Sequence, residues 1–207
     1  MALPKNFQPK KEGSRYTMSK LNSGETVKIR ILSDFISGNM TWSGHTKDDK
    51  KPVRVPENTP MLTTNIGTNL RSGEPERIKQ FIAAIVWNYD NEVLEIFETD
   101  KATIISRIYE FETDPDYGDS KAYDLKVSKK GTGMETEYSV MPSPPTKVSK
   151  DIATAYGSEQ INLKALYSGA DPFTPQSDGN EASDEGDTEP PTEQDASGEK
   201  IADEIPF

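Results

Sequence analysis

The sequence predicts a mainly β domain followed by a disordered acidic tail. Three observations carry this. Short runs of alternating apolar and polar residues recur between Gly24 and Pro142, the period-2 mark of half-buried strands. Only one stretch in that range, beginning near Thr99, spaces its apolar residues as a helix does. Acidic charge is concentrated at the far end. The chain has 24 Lys and Arg against 35 Asp and Glu, net −11. Residues 171–207 hold 12 acidic residues and one basic one, Lys200, so residues 1–170 are neutral overall.

The elements follow in order. Residues 1–23 carry Lys5, Lys10, Lys11, Arg15 and Lys20 against Glu12. They read either as a frayed terminus or as a basic arm that touches phosphate or a neighbouring subunit. Glu25–Leu32 reads as a strand with Val27, Ile29 and Ile31 on one face and Lys28 and Arg30 on the other. Ser37-Gly38-Asn39 breaks it, and Met40–Trp42 continues it beyond a glycine bend. Ser43–Glu76, with four prolines and three glycines, reads as a long loop, functional or disordered. Lys79–Tyr89 is apolar on both faces, so it is a central strand covered on two sides. Asp90-Asn91 turns it into a second arm, Glu92–Glu98, with Leu94 and Ile96 facing one way and Glu95 and Phe97 the other. Thr99 or Asp100 caps a helix running to Phe111 on the face of Ile104, Ile105 and Ile108.

Tyr123, Leu125 and Val127 mark the next strand, and Lys129–Gly133 a glycine-rich turn. Glu135–Met141 returns from it. Pro142, Pro144 and Pro145 end the sheet. Val148, Ile152, Ala155 and Tyr156 mark a short helix stopped at Gly157, and Ile161–Tyr167 one further helical turn or two. The domains expected are thus 1–23, 24–170 and 171–207.

Five strands with a helix between the third and fourth is the order of an OB-fold, a small Greek-key barrel. Nucleic acid crosses the second and third strands of such a barrel, between its first–second and fourth–fifth loops. Here those loops are Ser43–Glu76 and Lys129–Gly133.

Several classes are disfavoured. With no Cys and a single His, His45, there is no disulfide and no expected zinc site. No phosphate loop is present, and Asp114, Asp116 and Asp119 form only an incomplete calcium-loop pattern, better read as turn residues. The reading is of a protein that is not an enzyme and needs no cofactor or metal. No apolar run approaches membrane-spanning length and no signal peptide is visible, so a cytoplasmic protein with no membrane partner is expected.

A resemblance adds to this. Asp203-Glu204-Ile205-Pro206-Phe207 resembles the acidic tip of the single-stranded-DNA-binding proteins of bacteria and their phages. The runs Ile85–Asp90, Tyr117–Asp119, Ala122–Leu125, Lys129–Gly133 and Glu135–Tyr138 are similar to those of a family of such proteins from tailed phages. The resemblance implies binding and protection of single-stranded DNA, with little sequence preference, in phage replication, recombination or repair inside a bacterial host. It further implies that the tip docks replication proteins such as a DNA polymerase, helicase or primase. Self-association stays open.

Sequence-tolerant binding needs cations for phosphates and aromatic planes for bases. The phosphate candidates are Lys28, Arg30, Lys47, Lys50, Lys51, Arg54, Lys126, Lys129 and Lys130. The stacking candidates are Trp42, Trp87, Tyr89 and Phe97; Tyr123 reads as core. The competing reading is an OB-fold adaptor for RNA or protein, with the tail as a solubilising or interaction segment.

Overall fold

The structure, a computed structural model, describes residues 14–174. The tail from residue 175 onward, with its tip Asp203–Phe207, and the first thirteen residues lie outside the described residues. Seven strands and three short α-helices make up the described part: β1 (Thr26–Ile31), β2 (Ile36–Ser43), β3 (Lys51–Pro56), β4 (Lys79–Asn88), β5 (Val93–Thr99), α1 (Ala102–Thr113), β6 (Asp124–Lys130), β7 (Glu137–Pro142), α2 (Lys150–Ser158) and α3 (Ala165–Ser168). All strand pairings are antiparallel, in the order β3-β2-β4-β1-β6-β7, with β5 on the other edge of β4. The protein is mainly β, as expected, but with seven strands rather than five. No ladder joins β5 to β7 among the described residues, so the sheet is open.

β4 is the shared wall of two cores, which its two-sided apolar pattern demands. Ile82, Ala84 and Val86 pack with Ile29, Phe97, Ile104, Ile108, Tyr123 and Leu125 in the first. Phe81, Ala83 and Ile85 pack with Leu94, Ile96, Leu163 and Leu166 in the second.

The bend between β1 and β2 falls at Leu32–Phe35, not at Ser37–Asn39. Both strands lie along β4, with Ile31 opposite Val86 and Ile36 opposite Ala83. Between them Leu32 N–H donates to Ile85 O at 2.9 Å, and Ile85 N–H turns to the Ser33 hydroxyl at 2.9 Å. A side chain thus replaces the missing ladder acceptor. Gly38 lies inside β2 and serves a different need. A Cβ there would stand 2.1 Å from Val55 O, so only glycine lets β3 approach.

β3 falls where the sequence predicts loop, because Pro52 and Pro56 cannot donate to a ladder. An outer strand tolerates them, and β3 pairs only with β2. The residues after it are ordered by staples to the β2–β3 hairpin. Gly67 N–H donates to Trp42 O at 2.8 Å, and Thr68 N–H to Gly44 O at 2.9 Å. His45 Nδ1 meets Thr68 Oγ1 at 2.8 Å, and Lys50 pairs with Glu76.

Four boundaries also move. α1 starts at Ala102 with Lys101 as its uncapped N-cap residue. Thr99 Oγ1 accepts from Lys101 N–H, and the Asp100 carboxylate is held by Lys79 and Lys101, so neither caps the helix. α2 runs through Gly157 to Ser158. Residues 14–21 are packed rather than frayed. Ile96 N–H donates to Arg15 O at 2.8 Å, and Leu21 lies in the first core. The C-terminal side is also longer than 170. Asn162 N–H donates to Pro172 O at 2.8 Å, and Phe173 packs edge-on against Tyr16 with the Arg15 guanidinium 3.9 Å from its ring centre.

Candidate functional site

The face of β4 and β5 that should carry nucleic acid is closed. Phe81, Ala83, Ile85, Leu94 and Ile96 are covered there by Leu163 and Leu166, and the opposite face is the first core. The apolar residues that seal it come from α3 and the turn before it, about 70 residues further along, and no local pattern in the strands announces them.

The open concavity lies at the end of β5. It is a cavity of about 740 Å³ between the β2–β3 hairpin and β7. Trp42 and Pro52 wall it on the hairpin side, Tyr138 on the β7 side and Tyr16 from the N-terminal segment, while Glu98–Lys101 run along it. The alternation along β2 brings Trp42 to this edge, where it stays 41 % exposed. Tyr138 leans its ring partly on the first core and turns its remainder to the cavity.

The charge in the cavity is paired. Arg54 donates twice to Glu98, at 2.6 and 2.9 Å. Asp100 accepts from Lys79 at 2.8 Å and from Lys101 at 2.7 Å. Burial pushes the Asp100 carboxyl up, but the hydrogen bonds from Lys101 and Lys79 outweigh it and hold the group below the ordinary aspartate range. Burial and the neighbouring Glu98 charge raise the Tyr16 phenol, which stays protonated. The two lysines are 48 % and 42 % exposed. They can therefore exchange a carboxylate for a phosphate without leaving water.

The expected site residues divide into several groups. Trp42 and Arg54 line the cavity, whereas Lys51 stands exposed at the turn end of the same hairpin, opposite Ser43 and on the alternate face from Trp42 and Pro52. Lys47 is exposed in the hairpin loop, while Lys50 is committed to Glu76. Phe97 is not a stacking platform. It is fully buried in the first core, because the face it shares with Glu95 turns inward. Trp87 is partly buried against the second core.

Arg30 is not a phosphate contact either. It is 1 % exposed, and its guanidinium is spent on Asp124 at 2.5 Å and on the Thr146 carbonyl and hydroxyl at 2.9 and 2.7 Å. Asp124 also accepts from the Lys28 ammonium at 2.8 Å and the Tyr89 hydroxyl at 2.9 Å. Burial raises its carboxyl. The bonds from Lys28, Arg30 and Tyr89 more than reverse that, leaving it below the usual aspartate value. The Lys28 ammonium sits 4.3 Å from the Tyr89 ring centre, so that ring holds a lysine on one face. Lys129 donates to Leu21 O at 3.1 Å on the core side of β6, whereas Lys126 and Lys130 stand exposed on its outer side.

Sequence reasoning missed Tyr16, Tyr138, Lys79 and Lys101. Tyr16 lies in a segment that reads as an arm, Tyr138 on a strand face that reads as apolar, and the two lysines at element ends, where charge is ordinary. Asp114 and Asp119 act as turn caps, accepting from Asp116 N–H and Lys121 N–H. Among the described residues no cluster of His, Asp and Glu could hold a metal, and no helix is long and apolar enough to cross a membrane. No protein-family model, curated protein or solved structure matches the chain.

Proposed function

We propose that the protein binds single-stranded DNA with little sequence preference, seating bases against Trp42, Tyr16 and Tyr138 at the cavity. The carrying observation is the cavity itself: three aromatic side chains from distant parts of the chain converge on one opening beside two exchangeable lysines. Every base has a face to stack, so aromatic walls bind without reading sequence, at ~1–3 kcal/mol per base. Lys79 and Lys101, which line the cavity, receive the phosphates.

The element order supports an OB-type reading. With β1 and β2 taken as one bent strand, the series β1/β2, β4, β5, α1, β6, β7 has the five-strand, one-helix order of that barrel, and β3 becomes an insertion in the first connection. The cavity then lies between the first–second and fourth–fifth connections. The acidic segment, with Asp203, Glu204, Ile205, Pro206 and Phe207, is proposed to recruit replication proteins. Removing Phe207 alone should abolish capture of a polymerase, helicase or primase while leaving DNA affinity unchanged.

The testing experiment is a titration of Trp fluorescence with single-stranded DNA, duplex DNA and RNA of equal length. Single-stranded DNA should bind tightest, and Trp42→Ala should weaken it. Equal affinity for duplex and single strand would overturn the proposal. The pairing of every cation lining the cavity favours a second reading, an adaptor for RNA or protein. Preference for RNA, or no nucleic-acid binding at all, would select it.

A further inference from the structure

The positive charge missing from the cavity stands on the other side of the β6–β7 hairpin. In the register of that hairpin, Val127 is opposite Val140 and Lys129 opposite Tyr138, and these positions face the first core and the cavity. The alternate positions, Lys126 opposite Met141 and Lys130 opposite Glu137, face outward. β1 extends the outward face, because Lys28 lies directly opposite Lys126 and Arg30 opposite Asp124.

Two lysines directly opposite each other repel, an arrangement that destabilises a sheet unless something relieves it. Asp124 relieves only half of this pair. Its oxygens are already taken by Lys28, Arg30 and Tyr89. Lys126 is exposed and has no ion-pair partner among the described residues, and the same is true of Lys130. The outward positions of β1, β6 and β7 thus set four cations (Lys28, Arg30, Lys126, Lys130) against two carboxylates (Asp124, Glu137). In the cavity, by contrast, Arg54, Lys79 and Lys101 are balanced by Glu98, Asp100 and Asp171. Met141, 62 % exposed beside Lys126, adds apolar surface for a sugar or base.

We propose that this outward face is a second binding surface for the same strand of DNA. A strand whose bases enter the cavity against Tyr138 passes the hairpin and lays its following phosphates on Lys126 and Lys130. The hairpin is one sheet thick and β7 is its outer strand, so the path around it is short. The inference rests on the single-strand reading above and adds a division of labour. Aromatic rings in the charge-balanced cavity hold bases, with Lys79 and Lys101 taking the nearest phosphates, and the unpaired lysines on the opposite face hold the backbone that follows. Short strands use the first surface alone, and longer ones use both.

The test uses the full chain and oligothymidylates of about 5 and about 20 nucleotides, which bracket the span of a single domain of this kind. Lys126→Glu with Lys130→Glu should leave affinity for the short oligomer within about twofold and weaken the long one at least about tenfold. The long oligomer's log–log salt slope should also become shallower by about 1.4, or ~0.7 for each phosphate that is no longer neutralised. Trp42→Ala should weaken both lengths. Equal weakening of both lengths by the lysine reversals, or no weakening of the long one, would overturn the second surface while leaving the cavity reading intact. Failure of the unaltered protein to bind either length would remove the single-strand reading and this inference with it.

Discussion

Replacing Asp124 by Asn tests the charge cluster that joins β1 to β6. The carboxylate is 8 % exposed in its side chain and is the only anionic partner of Arg30 among the described residues, itself 1 % exposed. Asn keeps the shape but removes the charge and turns an N–H₂ either toward Lys28 or toward Arg30 and Tyr89. Arg30 would keep only neutral acceptors, the Thr146 carbonyl and hydroxyl and at most the Asn oxygen. Breaking one side of a buried pair costs about 3–5 kcal/mol, because the remaining charge is desolvated without compensation. With a urea slope near ~2 kcal/mol/M, the unfolding midpoint should fall by about 2 M.

The pH dependence has a definite sign. The Asp124 carboxyl lies below its ordinary value in the folded protein. Its contribution is therefore complete above the unfolded-chain value of about 3.9 and disappears as pH falls through the lower folded value. The gap between the parent and Asp124→Asn should be full at neutral pH and should begin to close only below about pH 4. Urea titrations followed by Trp fluorescence at several pH values measure both quantities. A loss under ~1 kcal/mol at neutral pH, or an equal loss when Arg30 is already Met, would show that the cost does not come from stranding that arginine.

Four further outcomes are expected. Trp42→Ala should weaken single-strand binding by ~1–3 kcal/mol and leave the melting temperature nearly unchanged, because the ring is 41 % exposed. Phe97→Ala should do the reverse, lowering stability by ~3–5 kcal/mol through the cavity it opens; calorimetry separates the two. Gly67→Ala would place a Cβ 2.1 Å from Gly44 O, so limited proteolysis should cut the 57–78 loop faster as its staples release. Lys101→Ala should reduce the steepness of the salt dependence by about 0.7, read from binding isotherms at several salt concentrations.

Much of the fold is legible in the sequence because alternation reports burial directly. β4 declares two covered faces, and the structure places one core on each. α1 shows its buried Ile104 and Ile108, and Tyr123 reads as core. What fails has non-local causes. The alternation assigns the β1–β2 bend to Gly38, yet that glycine answers to the approach of β3 from fifteen or more residues away. β3 is hidden by its prolines, which an outer strand accepts. Phe97 looks exposed because its neighbour on that face is Glu95, a carboxylate held in the interior by Thr17 and Asn88. For the candidate site, Trp42 and Arg54 are visible from the sequence. Tyr16 and Tyr138 are not, since only the closure of the chain brings position 16 beside position 138. Charge is the least legible property. Arg30 and Lys126 are both basic residues on outward positions, and only the location of Asp124 decides that one is consumed and the other free.

The second core also has an order of assembly. Its sheet side, with Phe81, Ala83, Ile85, Leu94 and Ile96, is complete once β5 has been synthesised. Its cover, Leu163 and Leu166 with Phe173 packed beside them, comes last. During translation the emerging chain therefore carries an apolar face whose main cover is missing for some seventy residues, a state that aggregates when left open. A transcript or nuclease-shortened message ending before Leu163 would yield not a smaller version of the protein but a sticky sheet, and the cell's chaperones would be its first partners.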